Sequence, residues 1–521
     1  MFFEKKGKDE LKEDDLKKKE EVESKEVDLK KEESKNSGGK VSIEKIKEKL
    51  GKSVDFACKE FYVNSNKDLP VAIVYINGLI DSLKTSEFIL QPLAESETLK
   101  SAQTPQEVIE LIEQGALYYS SQTKREKDED VIKDVIEGSV ALVFGQEGIA
   151  FTFDLKGFER RSISEPTAEN VKKGGKDSFV ETLRVNTATI RRRIKTPDLI
   201  IEEKVVGKQS LTQLNIIYID GITNMDIVNS IKKRIDELDI DEVLSIGKLD
   251  EHINEKKYSV FPQIDHTERP DKFCTDIIEG RVGIIVDGLP MGVIVPAEFA
   301  KLLQAPEDYS EDPIIASLIR LLRYFLLMFT ILLPGFYVAV TTFHPEMIPT
   351  ELAMAIAESK EGVPLPIFFE VILMLVAFEI LVEAGLRLPR TIAQAVSIVG
   401  ALVVGDAAVT AKLISPGVVI IIAIAAIASY AVPNQDLSNA IRLWRFIFVI
   451  LCSIIGLFGL IIGVILIIFD LAKMETLGVA YLEPFVENKS MQIGDSIIRL
   501  PFKFLKYRPN FLKTSNKKRL G

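Results

Sequence analysis

The sequence has 521 residues and a formal net charge of −11, with 65 Lys and Arg residues against 76 Asp and Glu residues. Phosphate binding needs clustered cations without offsetting acids, so this balance argues against a nucleic-acid-binding protein. The chain is longer than one hydrophobic core normally organises, so we expect at least two folding units. Charged residues concentrate before about residue 313 and the long apolar stretches follow it, which predicts a soluble part and then a membrane part.

Residues 1–40 alternate Lys with Glu and Asp and lack the apolar core of a secretory signal peptide. Such a stretch has too little apolar surface to offset the conformational entropy lost on folding. The composition therefore predicts a disordered, charged tail that stays in the cytosol.

Residues 41–312 alternate helical and strand patterns, which is typical of an α/β region. Strands rich in β-branched residues are predicted at 69–79, 139–144, 214–219 and 281–286, and helices at 41–50, 106–118 and 225–238. We place two α/β subdomains at residues 41–161 and 179–312, joined through a polar stretch. Two of the strands run into Asp-Gly turns, at 220–221 and 287–288, which we interpret as ordinary turn chemistry in preference to a duplication.

Five apolar stretches follow, at residues 319–343, 367–386, 392–411, 416–432 and 446–469. A membrane-spanning helix needs about 20 mostly apolar residues, so the stretches predict an all-α polytopic transmembrane domain over residues 313–475.

Cations flanking these stretches predict the orientation of the chain. Arg320 and Arg323 begin the first stretch, and Arg387 and Arg390 follow the second, which places the N-terminal region in the cytoplasm. The basic C-terminal tail, residues 476–521, favours the same side, but five crossings would put it outside. Two interpretations stay open: one stretch is re-entrant or interfacial, leaving four crossings, or five crossings leave the tail external.

Ionisable residues inside apolar stretches are the candidate functional residues, because a charge at membrane depth is costly unless it faces a cavity or a partner. Glu379 and Glu383 lie one helical turn apart in the second stretch, and Asp406 interrupts the third. They predict a cation pathway lined by carboxylates. For Glu383, ion pairs with Arg387 and Arg390 at the membrane interface are the alternative.

Two further features are weaker signals. Pro334 and Gly335 lie inside the first apolar stretch and predict a kink or hinge. Arg191, Arg192 and Arg193 form the densest basic cluster of the soluble part and predict a subunit interface or a lipid contact, with a solvated helix face as the alternative. The sequence contains no recognisable catalytic, metal-binding or nucleotide-binding motif, so we expect neither an enzyme nor a cofactor.

Several long motifs resemble one family over nearly the whole chain beyond the tail. They are ETLRVNTATIRRRIK at 181–195, FPQI and TERPDK within 261–272, EGRVGIIVDG at 279–288, TTFHPEMIPTE at 341–351 and EAGLRLPRTIAQAVSIVGALVVGDAAV at 383–409. On these motifs the sequence resembles the A subunits of GerA-type germinant receptors of endospore-forming bacteria.

The resemblance implies a multi-pass subunit of the spore inner membrane that works with a transporter-like B subunit and a lipoprotein C subunit. It also implies a homo-oligomeric ring, with a pentamer as one option, around a ligand-gated cation pore whose opening triggers germination. A related branch of the family, associated with dipicolinate release, shares the motifs and stays an alternative. Two hypotheses from other functional classes stay open. They are a non-conducting membrane scaffold and, more weakly supported, a secondary transporter.

Overall fold

The computed structural model describes residues 40–117, 119–157, 173–254, 259–389, 405–486 and 495–519, together with positions 166, 169, 171 and 392. The predicted disordered tail of residues 1–40 lies outside the described residues except for Lys40. Most of the third apolar stretch, including residues 393–404, also lies outside them.

The chain divides into two compact units, of which the first comprises the residues up to Glu159 together with Ile194–Leu199. Its five strands form one antiparallel sheet in the order β1-β2-β4-β5-β3. The strands are β1 (Phe56–Tyr62), β2 (Pro70–Ile76), β3 (Gln122–Arg125), β4 (Val140–Phe144) and β5 (Ile149–Phe153). The longer helices are α1 (Ile43–Leu50), α2 (Pro105–Glu113) and α3 (Asp128–Ile136), with shorter ones at Ser82–Thr85 and Gln91–Glu95.

The second unit, Arg160–Arg193 and Ile200–Gly521, contains another five-stranded sheet in the order β6-β7-β9-β10-β8. Its strands are β6 (Leu199–Val206), β7 (Thr212–Ile219), β8 (Asp265–Thr267), β9 (Val282–Val286) and β10 (Gly292–Val295). Its helices are α4 (Leu183–Arg193), α5 (Met225–Asp236), α6 (Ile246–Ile253) and α7 (Pro270–Ile278), with a short one at Phe299–Leu302. The predicted strands and helices of the soluble part are therefore confirmed as an α/β region.

The two sheets repeat one strand order, because β6-β7-β9-β10-β8 matches β1-β2-β4-β5-β3 strand for strand. In both sheets β2 or its counterpart β7 ends at a turn whose glycine has a positive φ, 89° at Gly78 and 75° at Gly221. Glycine adopts this conformation without steric cost. The sequence analysis considers a duplication only for the Asp-Gly turns at 220–221 and 287–288, which both lie in the second sheet, so it does not predict the repeated strand order.

Six longer helices with described bounds follow in the second unit. They are α8 (Pro313–Phe343), α9 (Thr350–Ser359), α10 (Ile367–Arg387), α11 (Pro416–Ser429), α12 (Gln435–Ile455) and α13 (Leu457–Ala472). Among the described residues, α8 and α12 are long and apolar enough to cross a membrane, and α11 and α13 are shorter apolar helices.

Contacts at the helix ends show how the helices run relative to the second sheet. The start of α12 contacts β8 through His266 and Asp436, whereas its end at Gly456 lies against His344, just beyond the end of α8. The two helices are therefore parallel. In the opposite direction, α11 begins where Ser415 binds Glu370 at the start of α10. It ends where the Ser429 carbonyl accepts a hydrogen bond from Ser438 in the first turn of α12.

The prediction of one continuous helix over residues 446–469 is wrong. Gly456 has φ 60° and ψ −140°, and it separates α12 from α13. The helices then pack against each other, since a Cβ on Gly463 would lie 2.6 Å from the Phe448 ring. Leu471 near the end of α13 belongs to the same core cluster as Leu437 in the first turn of α12, so α13 runs back toward the second sheet.

The described part of the C-terminal segment packs on the second sheet and its helices. Phe511 and Leu512 are buried in the core of this sheet. The backbone N–H of Ser515 donates to the Ile222 carbonyl at 3.0 Å, and Arg519 forms an ion pair with Glu279 at 2.6 Å. The C-terminal segment and the second sheet therefore lie on the same side of the helices. Two short strands, β11 (Glu475–Thr476) and β12 (Val479–Ala480), precede it.

Candidate functional site

Glu379 contacts two arginines of α12 that the sequence analysis did not single out. Its Oε2 accepts a hydrogen bond from Arg442 Nη1 at 2.9 Å, and its Oε1 accepts one from Arg445 Nη2 at 2.9 Å. The Arg445 side chain is fully buried, whereas that of Glu379 is 28% exposed. Two cations thus share one carboxylate, and Nε and Nη1 of Arg445 have no hydrogen-bond partner in the structure.

Glu383 and Asp406 have different surroundings from Glu379. Glu383 accepts from Arg387 at 2.6 Å within the same helix, and its side chain is 60% exposed. Asp406 is also exposed. Apolar neighbours of Glu383 on α10, Ile380 and Leu386, are exposed on the surface of this single chain as well. Arg390, the other predicted partner of Glu383, lies outside the described residues.

Glu370 is a buried carboxylate that the sequence analysis missed, although its position near the start of an apolar stretch was visible. Its Oε2 accepts hydrogen bonds from the backbone N–H and the hydroxyl of Ser415, at 2.8 and 2.7 Å. The side chain is fully buried, and Lys360 Nζ lies 3.8 Å from its Oε1. Because Ser415 immediately precedes α11, the Glu370 carboxylate lies at the positive end of the dipole of that helix, which stabilises its negative charge. Its hydrogen bonds to Ser415 link α11 to α10.

Two consecutive residues of β8 hold the start of α12. Asn434 caps this helix by accepting from the Leu437 backbone N–H at 2.9 Å, and its Nδ2 donates to Asp265 at 3.0 Å. His266 lies between two carboxylates, with its Nε2 at 3.1 Å from Asp250 of α6 and its Nδ1 at 3.2 Å from Asp436 of α12. The second sheet therefore positions a candidate membrane helix through polar contacts.

Burial by itself would lower the pKa of His266, but the hydrogen bonds and charges of Asp250 and Asp436 outweigh it and raise the pKa to about 10. The imidazole is therefore a cation at neutral pH, with both ring nitrogens donating. The contact between α6, β8 and α12 is a charged bridge with one cation between two anions.

A second charged contact fixes the start of α8. Asp308 accepts from Arg320 Nε at 3.1 Å and from Arg323 Nη1 at 2.9 Å. Asp308 and Arg320 are almost completely buried. The two arginines were used in the sequence analysis only as orientation signals, whereas here they join α8 to the segment that follows the second sheet.

Pro334 and Gly335, the predicted hinge, are both buried within α8, which runs as one helix from Pro313 to Phe343. A Cβ on Gly335 would lie 3.2 Å from the Phe448 backbone, so this glycine allows α12 to approach closely. The hinge stays a prediction.

The basic cluster of α4 does not present one uniform face. Arg191 is buried, Arg192 is exposed, and Arg193 forms an ion pair with Asp177 at 2.6 Å. The predicted interface or lipid contact is thus most open at Arg192, and it also stays a prediction.

Comparison with known proteins assigns the family. The model of the Bacillus/Clostridium GerA spore germination proteins matches residues 44–511. The chain belongs to this family. Spore germination protein KA of Bacillus subtilis is 37% identical over 482 residues, covering 92% of this chain and 88% of that protein. Stage V sporulation protein AF of the same bacterium is 29% identical over 474 residues, covering 90% of this chain and 94% of that protein.

One solved structure is also similar: the N-terminal domain of the A subunit of the Bacillus megaterium spore germinant receptor GerK3. It is 31% identical in sequence, with a TM-score of 0.41, and the match covers 50% of this chain and 98% of that domain. The family model and the similarity to spore germination protein KA confirm the sequence resemblance to this family.

Proposed function

We propose that this chain is the A subunit of a spore germinant receptor and that it forms part of a cation pathway through the spore inner membrane. In this assignment the α/β region is cytoplasmic and transmits a signal to the helices. No reaction is catalysed.

The observation that supports a pathway best is the exposure of Glu383 and Asp406 on the surface of one chain, next to exposed apolar residues. A carboxylate facing hydrocarbon costs several kcal/mol, so such a surface favours water or another subunit as its neighbour. A homo-oligomeric ring, with a pentamer as one option, would supply both, because several copies would place their carboxylates around one axis.

The helix directions and the position of the C-terminal segment support an even number of membrane crossings. From the side of the second sheet, α8 runs outward, α10 inward, α11 inward, α12 outward and α13 inward. Arg387 and Ser415 lie at opposite ends of the helices, and most of the chain between them lies outside the described residues. An even number brings the C-terminal segment back to the cytoplasmic side, where Phe511 and Leu512 pack on the second sheet. The break between α12 and α13 at Gly456 supports an additional crossing there as the source of this even number.

The bridges at His266 and Asp308 supply a route for the signal. Each joins the region of the second sheet to the start of a candidate membrane helix, α12 or α8. A displacement of β8 would move α12, which carries the arginines that hold Glu379. The partners of the receptor in this proposal are a transporter-like B subunit, which reads the nutrient, and a lipoprotein C subunit.

Spores that lack this chain test the proposal. They should lose the germination response to at least one nutrient and regain it when the chain is restored, and the chain should co-purify with B and C subunits from spore membranes. Normal nutrient responses in its absence, together with normal co-purification of the other two subunits, would contradict the assignment.

One alternative is the related branch of the family named in the sequence analysis, associated with dipicolinate release, and the chain is also similar to stage V sporulation protein AF. Spores that lack this chain also distinguish the receptor subunit from this alternative. The alternative predicts that early cation release proceeds normally without this chain and that dipicolinate release alone is slowed.

A further inference from the structure

The C-terminal segment departs from the acidic character of the rest of the chain. Residues 495–519 contain eight basic residues and one acidic residue, although the whole chain has a net charge of −11. Within the segment, Lys503 and Lys506 are exposed and alternate with aromatic side chains. Phe502, Phe504 and Tyr507 are 58%, 62% and 51% exposed, so this stretch presents large apolar groups and cations together.

Contacts place this stretch beside the first turns of α8. Tyr324 donates to the Ser496 carbonyl at 3.2 Å, and Ser317 donates to the Arg499 carbonyl at 3.3 Å. The guanidinium of Arg499, itself buried, lies 4.7 Å from the centroid of the Phe502 ring. The exposed aromatic residues therefore belong to a stretch of the chain that packs on α8.

A different face of the same part of α8 is strongly apolar and exposed. Ile314, Leu318 and Leu322, spaced four residues apart, are 81%, 69% and 51% exposed. An exposed apolar stripe at the start of a spanning helix is where that helix enters lipid. Aromatic rings at this level lie among lipid headgroups, and nearby lysines attract anionic ones.

We infer that residues 502–507 form a bilayer anchor, in which Phe502, Phe504 and Tyr507 enter the headgroup region and Lys503 and Lys506 bind anionic phospholipid. The anchor would fix the C-terminal segment at the membrane surface, beside the point where α8 enters. It rests on the membrane placement of α8 proposed above, and it adds a lipid ligand to that assignment.

Single-tryptophan proteins test the anchor in the full-length chain, reconstituted in vesicles that contain brominated phosphatidylcholine as quencher. The background is Trp444→Phe, which removes the one native tryptophan. Phe504→Trp reports on the anchor. Phe325→Trp, on the exposed apolar face of α8, is the membrane control, and Leu244→Trp, exposed in the loop before α6, is the aqueous control.

The inference predicts a blue-shifted, quenched emission for Phe504→Trp, with stronger quenching in phosphatidylglycerol vesicles than in phosphatidylcholine alone. Lys503→Gln with Lys506→Gln should remove that difference between lipids. Emission at 504 that matches position 244, while position 325 is quenched, would overturn the anchor and leave the membrane placement intact. Equal quenching in both lipids would overturn the anionic preference, and an unquenched position 325 would overturn the membrane placement itself.

Discussion

At the scale of residues, Glu379 and Glu383 lie one turn apart on α10 but differ in what holds them. Glu379 bridges Arg442 and the fully buried Arg445, so its removal leaves a buried cation without a counter-charge. We expect Glu379→Gln to lower the free energy of unfolding by about 3 kcal/mol. Glu383→Gln, which breaks an exposed pair within one helix, should cost at most about 0.5 kcal/mol.

Unfolding of the full-length protein in detergent, followed by helix content, measures both variants. If Glu383→Gln destabilised the protein as much as Glu379→Gln, the bridge to α12 would not be the contact that stabilises the bundle.

His266 gives a pH dependence with a defined sign. Its pKa is raised from the ordinary 6.5 to about 10 in the folded chain. The bridge therefore contributes its full stability below about pH 6.5, and this contribution is lost as the pH rises through 10. His266→Gln should be less stable than the unaltered chain at pH 6, and the difference should shrink toward pH 10. The measurement is thermal unfolding of the two proteins across this range.

His252→Gln is the matched control, because His252 is exposed at the end of α6 and its Nδ1 lies 2.8 Å from the Lys248 carbonyl of its own helix. The assigned bridge would be contradicted by a constant difference between His266→Gln and the unaltered chain across the pH range.

At the scale of elements, the sequence predicted most of the α/β region because its signals are local. Runs of β-branched residues end in Asn-Gly and Asp-Gly turns at 77–78, 220–221 and 287–288, and the structure has β2, β7 and β9 at those places. The break at Gly456 was missed because apolar residues continue on both sides of it, and hydropathy does not distinguish a hairpin from one helix. The contacts of Glu379 were missed because Arg442 and Arg445 are more than 60 residues away in the chain.

The hairpin of α12 and α13 predicts a specific sensitivity at Gly463. A Cβ there would lie 2.6 Å from the Phe448 ring, so Gly463→Val should force the helices apart and destabilise the protein by about 1–3 kcal/mol. Ile465→Val, on the exposed side of α13, should cost far less. Thermal unfolding in detergent measures both, and a neutral Gly463→Val would contradict the packing of α13 on α12.

The C-terminal segment makes a similar prediction for the second sheet. Leu512 is fully buried in the core of that sheet, so Leu512→Ala should cost about 2–5 kcal/mol. Lys517→Ala, at an exposed position nearby, should lie within about 0.5 kcal/mol of the unaltered chain. Equal stability of the two variants in denaturant unfolding would contradict the packing of the C-terminal segment on the second sheet. The argument for an even number of crossings would then be lost.

At the scale of the whole molecule, charged bridges join the second sheet to the helices that carry the candidate pathway. The family and the α/β region followed from the sequence, but the identity of the residues that couple the two parts did not. His266, Asp308 and Glu370 acquire their roles only from contacts made by folding, because none of them stands in a local motif.

The central claim is that this subunit contributes carboxylates to a cation pathway. The most direct measurement is rubidium efflux from spores or liposomes that carry the receptor assembly with Glu383→Gln or Asp406→Asn, compared at matched protein levels with Glu346→Gln in the exposed loop after α8. The account predicts reduced efflux or altered ion selectivity for the two pathway variants and unchanged efflux for the loop variant. Unchanged efflux in both pathway variants would contradict it and would favour a non-conducting scaffold.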